Sequence, residues 1–328
     1  RRVYRESGLS AKEPRPVGLG AAAVQDMSVN PRAIARPSLP EVRLRRKPPS
    51  FDKRSAAQLF EHYTIEKQLA DRLRNASKEE RRTLYASVYD ELFRRVPHHP
   101  QLMHRASNSA VASQLHFVNR FLRPDTTFLE VGAGDCAVSF AVAKRVQRVY
   151  AVDVSDEITR TPGVPKNFTL ALSDGCSIPV PAGSVDVAFS NQLMEHLHPD
   201  DASEQLHNLY RALGPGGIYA CMTPNRLTGP HDVSGYFRDI AAGLHLREYS
   251  LGELRDLLRD VGFSRVIQNV GKRWLYARFP LPLTLALERT LEALPTPLAT
   301  SLAATLPLRA VLAIRVVAIK AGGSGRPC

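Results

Sequence analysis

Gly132 and Gly134 sit in the run Gly132-Ala133-Gly134-Asp135-Cys136-Ala137, which fits G-x-G-x-x-G/A. Glycines so placed let the backbone turn sharply and come close to a ligand, while the next helix offers its N-terminus. The pattern alone is weak, because glycine pairs after strands are often plain turns. Asp153 follows Gly132 by 21 residues. A carboxylate at that position can accept hydrogen bonds from both hydroxyls of a ribose. The pair indicates a nucleoside cofactor, either a nicotinamide dinucleotide or S-adenosylmethionine. Glu130, just ahead of the glycines, bears on the choice. It would repel a pyrophosphate and attract a sulfonium carrying an ammonium group. Ser173-Asp174-Gly175 adds an acid and backbone amides suited to an adenine edge.

A second group of polar residues follows. Gln192, Glu195 and His196 fall at i, i+3 and i+4, so a short helix would put them on one face. His196 is the first candidate for a general base on a hydroxyl, since imidazole titrates near neutrality. Glu195 is its candidate companion. The competing reading is that both simply cap and pack the helix. His231 and His245 come later and read as loop or interface histidines.

The elements that must position these residues show in the period of the apolar pattern. Thr127–Val131, Arg148–Val152, Phe168–Leu172, Val185–Phe189, Ile218–Met222 and Arg265–Val270 read as strands. Helical stretches separate them, at 137–146, 201–213 and 250–260; the last opens with the capping box Ser250-x-x-Glu253. Leu213-Gly-Pro-Gly-Gly217 is a tight turn into the fifth strand. Strands alternating with helices predict an α/β, doubly wound parallel sheet. Ligands bind such sheets beyond the carboxyl ends of the strands, where every polar cluster above falls. Ahead of it, 56–125 reads as a helical cap, with an apolar stripe at Leu59, Phe60, Tyr63, Ile65, Leu69 and Leu73. Ser77 starts its second helix. Residues 1–55 are proline-punctuated and basic and read as a disordered arm. Its prolines argue against a transit peptide, and the start at Arg1 rather than Met suggests a fragment. Residues 321–328 are a short tail.

Composition narrows the classes further. The 328 residues carry a net charge of +12. Residues 1–55 hold 13 basic and 5 acidic residues, whereas 126–270 hold 12 and 17. The basicity therefore lies mostly outside the core, and nucleic acid is not an expected partner. The four cysteines form no Cys-x-x-Cys pair, which excludes a disulfide framework or a cysteine zinc cluster as the basis of the fold. A reduced, cytoplasmic protein is expected.

In combination, FLEVGAGDC, VYAVDVS, LSDGCSIPVPAGSVDVAFSNQLMEHL and LGPGGIYACMTPNR resemble the class I S-adenosylmethionine-dependent methyltransferases. The likeness leans to the small-molecule branch that includes ubiquinone-type O-methyltransferases. It covers about 126–270 and a last strand near 311–319. It implies a seven-stranded Rossmann-like sheet with an antiparallel last strand, and S-adenosylmethionine as cofactor. Carried over, Glu130, Gly132, Ala133 and Gly134 would hold the methionine part, Asp153 and Val154 the ribose, and Asp174, Gly175 and Cys176 the adenine. Asn191 and Gln192 would lie beneath the sulfonium. Ubiquinone-type enzymes have acid-x-x-acid-His where this chain has Gln192, Glu195 and His196. With the first acid missing, no metal is expected. The chain also departs from the pattern between Asp153 and Phe168, where the usual second helix is at best one turn.

The resulting expectation is methyl transfer to a hydroxyl of a small molecule such as a sugar, a lipid-like compound or a natural-product intermediate. Two alternatives stay open: a nicotinamide-dependent oxidoreductase, and a non-catalytic binding protein on the same fold. The helical cap and the apolar, proline-broken insert 271–308 are expected to enclose the acceptor, the insert as a lid, with contact of the insert to a membrane surface as the second reading.

Overall fold

The computed structural model describes residues 43–103, 108–155, 163–272 and 275–322. Ser55 and Ser77 each close a capping box, with Gln58 and Glu80, and so start helices α1 (Ala56–Asn75) and α2 (Lys78–Arg95). Their buried faces, Ile65, Leu69 and Leu73 on α1 and Tyr85, Val88 and Leu92 on α2, join the main core. The short α3 (Pro100–Met103) and α4 (Asn108–Asn119) complete the cap. One buried ion pair fastens it to the domain behind. Arg81 grips Asp201 through two hydrogen bonds, of 2.6 and 2.9 Å, and the Tyr85 hydroxyl donates to the same carboxylate at 2.7 Å.

The sheet alternates with its helices in chain order: β1 (Thr127–Val131), α5 (Ala137–Ala143), β2 (Arg148–Asp153), β3 (Phe168–Leu172), β4 (Val185–Asn191), α6 (Pro199–Ala212), β5 (Leu213–Thr223), α7 (Leu251–Val261) and β6 (Arg265–Lys272). Then come β7 (Leu275–Phe279), α8 (Leu281–Glu292), α9 (Thr296–Ala303), α10 (Leu306–Leu312) and β8 (Ile314–Ile319). The strand order is β3-β2-β1-β4-β5-β8-β6-β7. The first five strands in this order pair parallel, and β8 inserts antiparallel between β5 and β6. The α/β doubly wound reading holds, as does the antiparallel last strand. The count is corrected from seven strands to eight. The extra strand, β7, falls inside the expected insert and pairs antiparallel with β6 at the sheet edge. Gly271 permits that hairpin: its φ is +152°, and a Cβ there would lie 1.9 Å from the Leu275 carbonyl oxygen.

Two further differences concern the flanks. The described part of the expected arm, 43–55, is packed rather than loose. The Arg45 amide donates to the Tyr236 carbonyl at 2.8 Å, and Arg54 bonds both Asp52 and the His62 ring. Residues 1–42 lie outside the described residues. The rest of the insert is helical and anchored. Buried Glu288 of α8 accepts from the Leu251 and Gly252 amides, capping α7, and from the Asn225 side chain. Among the described residues no helix is long and apolar enough to cross a membrane.

Candidate active site

The winding of the sheet reverses between β1 and β4, which opens a crevice at their carboxyl ends. Three cavities meet there, of about 160, 210 and 640 Å³. Gly132 and Gly134 line the first and second; Asn191 lines the second and third; Gln192 lines the first and third. The turn after β4 is therefore the junction of all three. Gln192 holds it in a left-handed conformation, φ +55°, with its amide donating to the Met222 carbonyl at 2.8 Å. For a non-glycine residue this costs about 1–2 kcal/mol, a strain of the kind that gathers at functional sites.

The loop after β1 is built on Asp153. One carboxylate oxygen accepts from the Gly134 amide at 2.8 Å, the other from the Val154 and Ser155 amides at 2.8 and 3.2 Å. Burial raises the pKa of this carboxyl, and those three amides oppose the rise. The oxygen that takes only the Gly134 amide keeps a lone pair toward the first cavity, which Asp153 lines. Gly132 reaches its φ of +71° with Leu193 packed against it, so a Cβ would come within 3.0 Å of that side chain. Glu130 faces the second cavity. One of its oxygens accepts from the Ser139 amide and hydroxyl at 2.9 and 2.5 Å, and burial pushes its pKa up to about 8.

Glu130, Gly132, Ala133, Gly134 and Asn191 thus come together around the second cavity. Asp153, Val154, Gly175, Gln192 and His196 come together around the first. A nucleoside with an amino-acid tail fits this pair of spaces. A carboxylate with an open lone pair stands in one, an acid in the other, and glycines between them leave the backbone bare.

Asp174 and Cys176 do not line either space. Asp174 caps its own turn, accepting from the Cys176 and Ser177 amides at 3.0 and 2.7 Å, and pairs with Arg82 at 2.5 Å. Burial works against its ionisation, but these bonds win and hold it down at about 2. What faces the cavity from this turn is Ser173 and Gly175. Gly175 lies so close under Tyr85 that a Cβ would meet the ring at 2.4 Å.

His196 lines the first cavity and Glu195 stands behind it, fully buried. The His196 Nδ1 lies 3.1 Å from the Leu244 carbonyl, which can only accept, so Nδ1 carries the proton and Nε2 is the basic nitrogen. Burial lowers its pKa to about 3. Glu195 accepts from the Thr223 hydroxyl at 2.8 Å, and burial raises it to about 7. His245 joins this pair, with ligand-type atoms of all three within 4.8 Å of one another. Burial disfavours its charge, yet its 2.7 Å bond to Glu248 and the Glu195 charge raise it to about 9. Without a metal, His245 is therefore an imidazolium beside the Glu195 and Glu248 carboxylates. With Gln192 in place of the first acid, the cluster offers one carboxylate and two imidazoles as ligand-type groups.

Sequence reasoning set the cap around the acceptor but named none of its residues in the wall. Tyr89, Phe93, His99 and Glu66 all line the first cavity. The Tyr89 hydroxyl and one Glu66 oxygen are buried without a hydrogen-bond partner among the described residues. Burial raises Glu66 to about 8 and lowers its neighbours His62 and His99 to about 2 and 4. Tyr85 and Tyr89, one helical turn apart beside an apolar stripe, were the available signal.

Comparison with known proteins agrees with this geometry. The family model of a methyltransferase domain matches residues 129–221. A probable S-adenosylmethionine-dependent methyltransferase of Mycolicibacterium smegmatis is 32% identical over 139 residues, 42% of this chain and 51% of that one. One from Mycobacterium tuberculosis is 30% identical over 140 residues, 42% of this chain and 48% of its own length. The chain thus spans about half the length of the curated relatives it matches. A solved structure of Haemonchus contortus phosphoethanolamine N-methyltransferase 1, bound to phosphoethanolamine and S-adenosylhomocysteine, shares the fold. Its TM-score is 0.50 at 15% identity, over 77% of this chain and 51% of that one. Of the two nucleoside chemistries left open by the sequence, these relatives take the sulfonium one. With the glycine turn, Asp153 and the reversed sheet in place, the centre of this chain is a class I S-adenosylmethionine-dependent methyltransferase domain.

Proposed function

We propose that the chain methylates a hydroxyl oxygen of a small-molecule acceptor, with His196 as the general base. The observation that carries this reading is the tautomer of His196: Nδ1 is committed to the Leu244 carbonyl, which leaves an unprotonated Nε2 on a residue that lines the cavity. Glu130, Gly132, Gly134 and Asp153 would hold the cofactor, with Gln192 beside the reacting centre. When bound, S-adenosylmethionine supplies the methyl group, its S–C bond breaking as the O–C bond forms. The acceptor oxygen turns strongly acidic as that bond forms, so an imidazole of low basicity suffices to take its proton. Burial keeps His196 neutral at ordinary pH and so always able to accept. Glu195 touches Thr223 rather than the cavity, and its charge favours the imidazolium of His245. The remaining catalysis is positioning and exclusion of water by the cap. The insert contributes Leu306, Arg309 and Ala310 of α10 to the wall of the third cavity, on the acceptor side.

The test is calorimetric titration with S-adenosylhomocysteine, followed by a screen of hydroxylated small molecules with methyl-labelled cofactor. Binding of the cofactor product and an O-methyl ether among the products are expected. Absence of binding, or transfer to nitrogen or carbon only, overturns the reading.

A further inference from the structure

The third cavity is a groove on the far side of Gln192, larger than the other two together. Among the described residues no Asp or Glu lines it, whereas Arg309 and Arg315 both do. Several arginines elsewhere among the described residues are answered by carboxylates: Arg81 by Asp201, Arg82 by Asp174 and Glu204, Arg226 and Arg247 by Glu253. Arg309 and Arg315 have no such partner among the described residues. The Arg315 Nη1 is buried with no hydrogen-bond partner there. Its guanidinium lies against the Tyr276 ring, 6.0 Å from the centroid, and the Tyr276 hydroxyl is fixed by Ser113 at 2.9 Å. Burial lowers the pKa of Arg315, though a guanidinium remains charged. A cation withdrawn from water with an unmet N–H is costly unless something supplies the missing acceptor. The planar fork of a guanidinium matches two oxygens of one anion.

Other polar groups of the groove do not compete for that anion. Asn225 spends its amide N–H bonds on Glu288 and the Leu312 carbonyl. His231 is held by Thr228 at 2.9 Å, and burial lowers its pKa, so it adds no charge at neutral pH.

We propose that this groove binds an oxyanionic group of the acceptor, a carboxylate or a phosphate monoester, through Arg315 in its wall and Arg309 at its rim. This deepens the reading above and rests on it, since it takes the groove beside Gln192 as the acceptor's approach. An acceptor so held carries its hydroxyl toward Gln192 and its negative charge away from the sulfonium.

The full chain, saturated with S-adenosylhomocysteine at low salt, is titrated with inorganic phosphate, with malonate and with glycerol as the uncharged control. Phosphate or malonate should bind and glycerol should not; the preferred anion tells phosphate from carboxylate recognition. Arg315→Met should weaken that binding roughly tenfold or more. Because Arg315 sits in a central strand, two variants guard against misfolding. Arg309→Ala, at an exposed position, and Arg315→Lys, which keeps the charge but loses the fork, should each weaken it measurably. S-adenosylhomocysteine affinity should not change in any of them. Anion affinity equal to wild type in both Arg309→Ala and Arg315→Lys overturns the proposal, as does an absence of anion binding to the cofactor-product complex. If the wild-type chain binds no S-adenosylhomocysteine, the methyltransferase reading fails first and this one with it.

Discussion

On the cap side of Gln192, the first cavity is walled by groups that burial has largely neutralised. Glu66 is raised to about 8, and His196 and His99 are lowered to about 3 and 4; Glu195, behind that wall, is raised to about 7. On the other side, the groove keeps two arginines that no carboxylate answers among the described residues. One strained residue separates them. A wall of largely neutral groups suits proton transfer, where a fixed charge would be costly and water would compete. An open, cationic space suits recognition of a charged ligand before it is fully desolvated. The difference shows how a single turn can divide chemistry from selection.

The largest effect should come from unfastening the cap that closes the neutral side. Asp201→Ala leaves Arg81 buried without its partner and Tyr85 without its acceptor. A loss of about 3–5 kcal/mol of stability is expected, measured by urea unfolding. Arg309→Ala, on the open side, should stay within about 0.5 kcal/mol of wild type. Equal stability of the two variants would mean that the cap is not held by this pair.

Next comes the base. His196→Ala should lower transfer to the acceptor found in the screen by about a hundredfold, with S-adenosylhomocysteine affinity unchanged. Equal losses in rate and cofactor affinity would instead place His196 in the cofactor's own wall. Asp153→Ala should do the reverse. It removes the acceptor of three backbone amides and the carboxylate facing the cavity, and should cost about 1.5–3 kcal/mol of S-adenosylhomocysteine binding. Calorimetry showing wild-type affinity would take Asp153 out of the site.

The neutral side was the more legible in the sequence, and for local reasons. Thr127–Val131 and Phe168–Leu172 are compact apolar runs ended by turn residues, and both strands fall where the pattern puts them. Glycine turns and a strand-end acid are local features too. What escaped depends on partners far along the chain. Arg81 and Asp201 are 120 residues apart, and Arg82 and Asp174 are 92. Asp174 also shows two local roles in competition: a Ser-Asp-Gly turn uses its carboxylate to cap amides, which leaves less of it for a ligand. On the open side, the prolines misled. Pro282, Pro297 and Pro307 looked like breaks, yet each sits in the first turn of a helix, where no N–H bond is lost. Strand β7 escaped because five residues beside a proline carry too short an alternation to stand out.

The smallest effect tests the charge balance behind His196. His245 gains a proton on folding, since Glu248 and Glu195 raise it from 6.5 to about 9 against the cost of burial. Asp232 adds to the rise, while the neighbouring His196 stays neutral. A group raised in the folded state stabilises fully below its unfolded pKa, and that contribution fades as pH climbs through the folded one. The melting temperature should therefore fall between pH 6.5 and 9. Glu66, raised to about 8, pushes the same way, because ionising it in the fold is costly. His245→Gln removes the imidazolium while leaving Glu66 in place, so its slope over this window should be shallower than wild type but not flat. Wild-type activity should be indifferent to a chelator, because the imidazolium and not an ion balances Glu195 and Glu248. An unchanged slope in His245→Gln, together with activity lost to chelation and restored by a divalent cation, would mean that the cluster holds a metal after all.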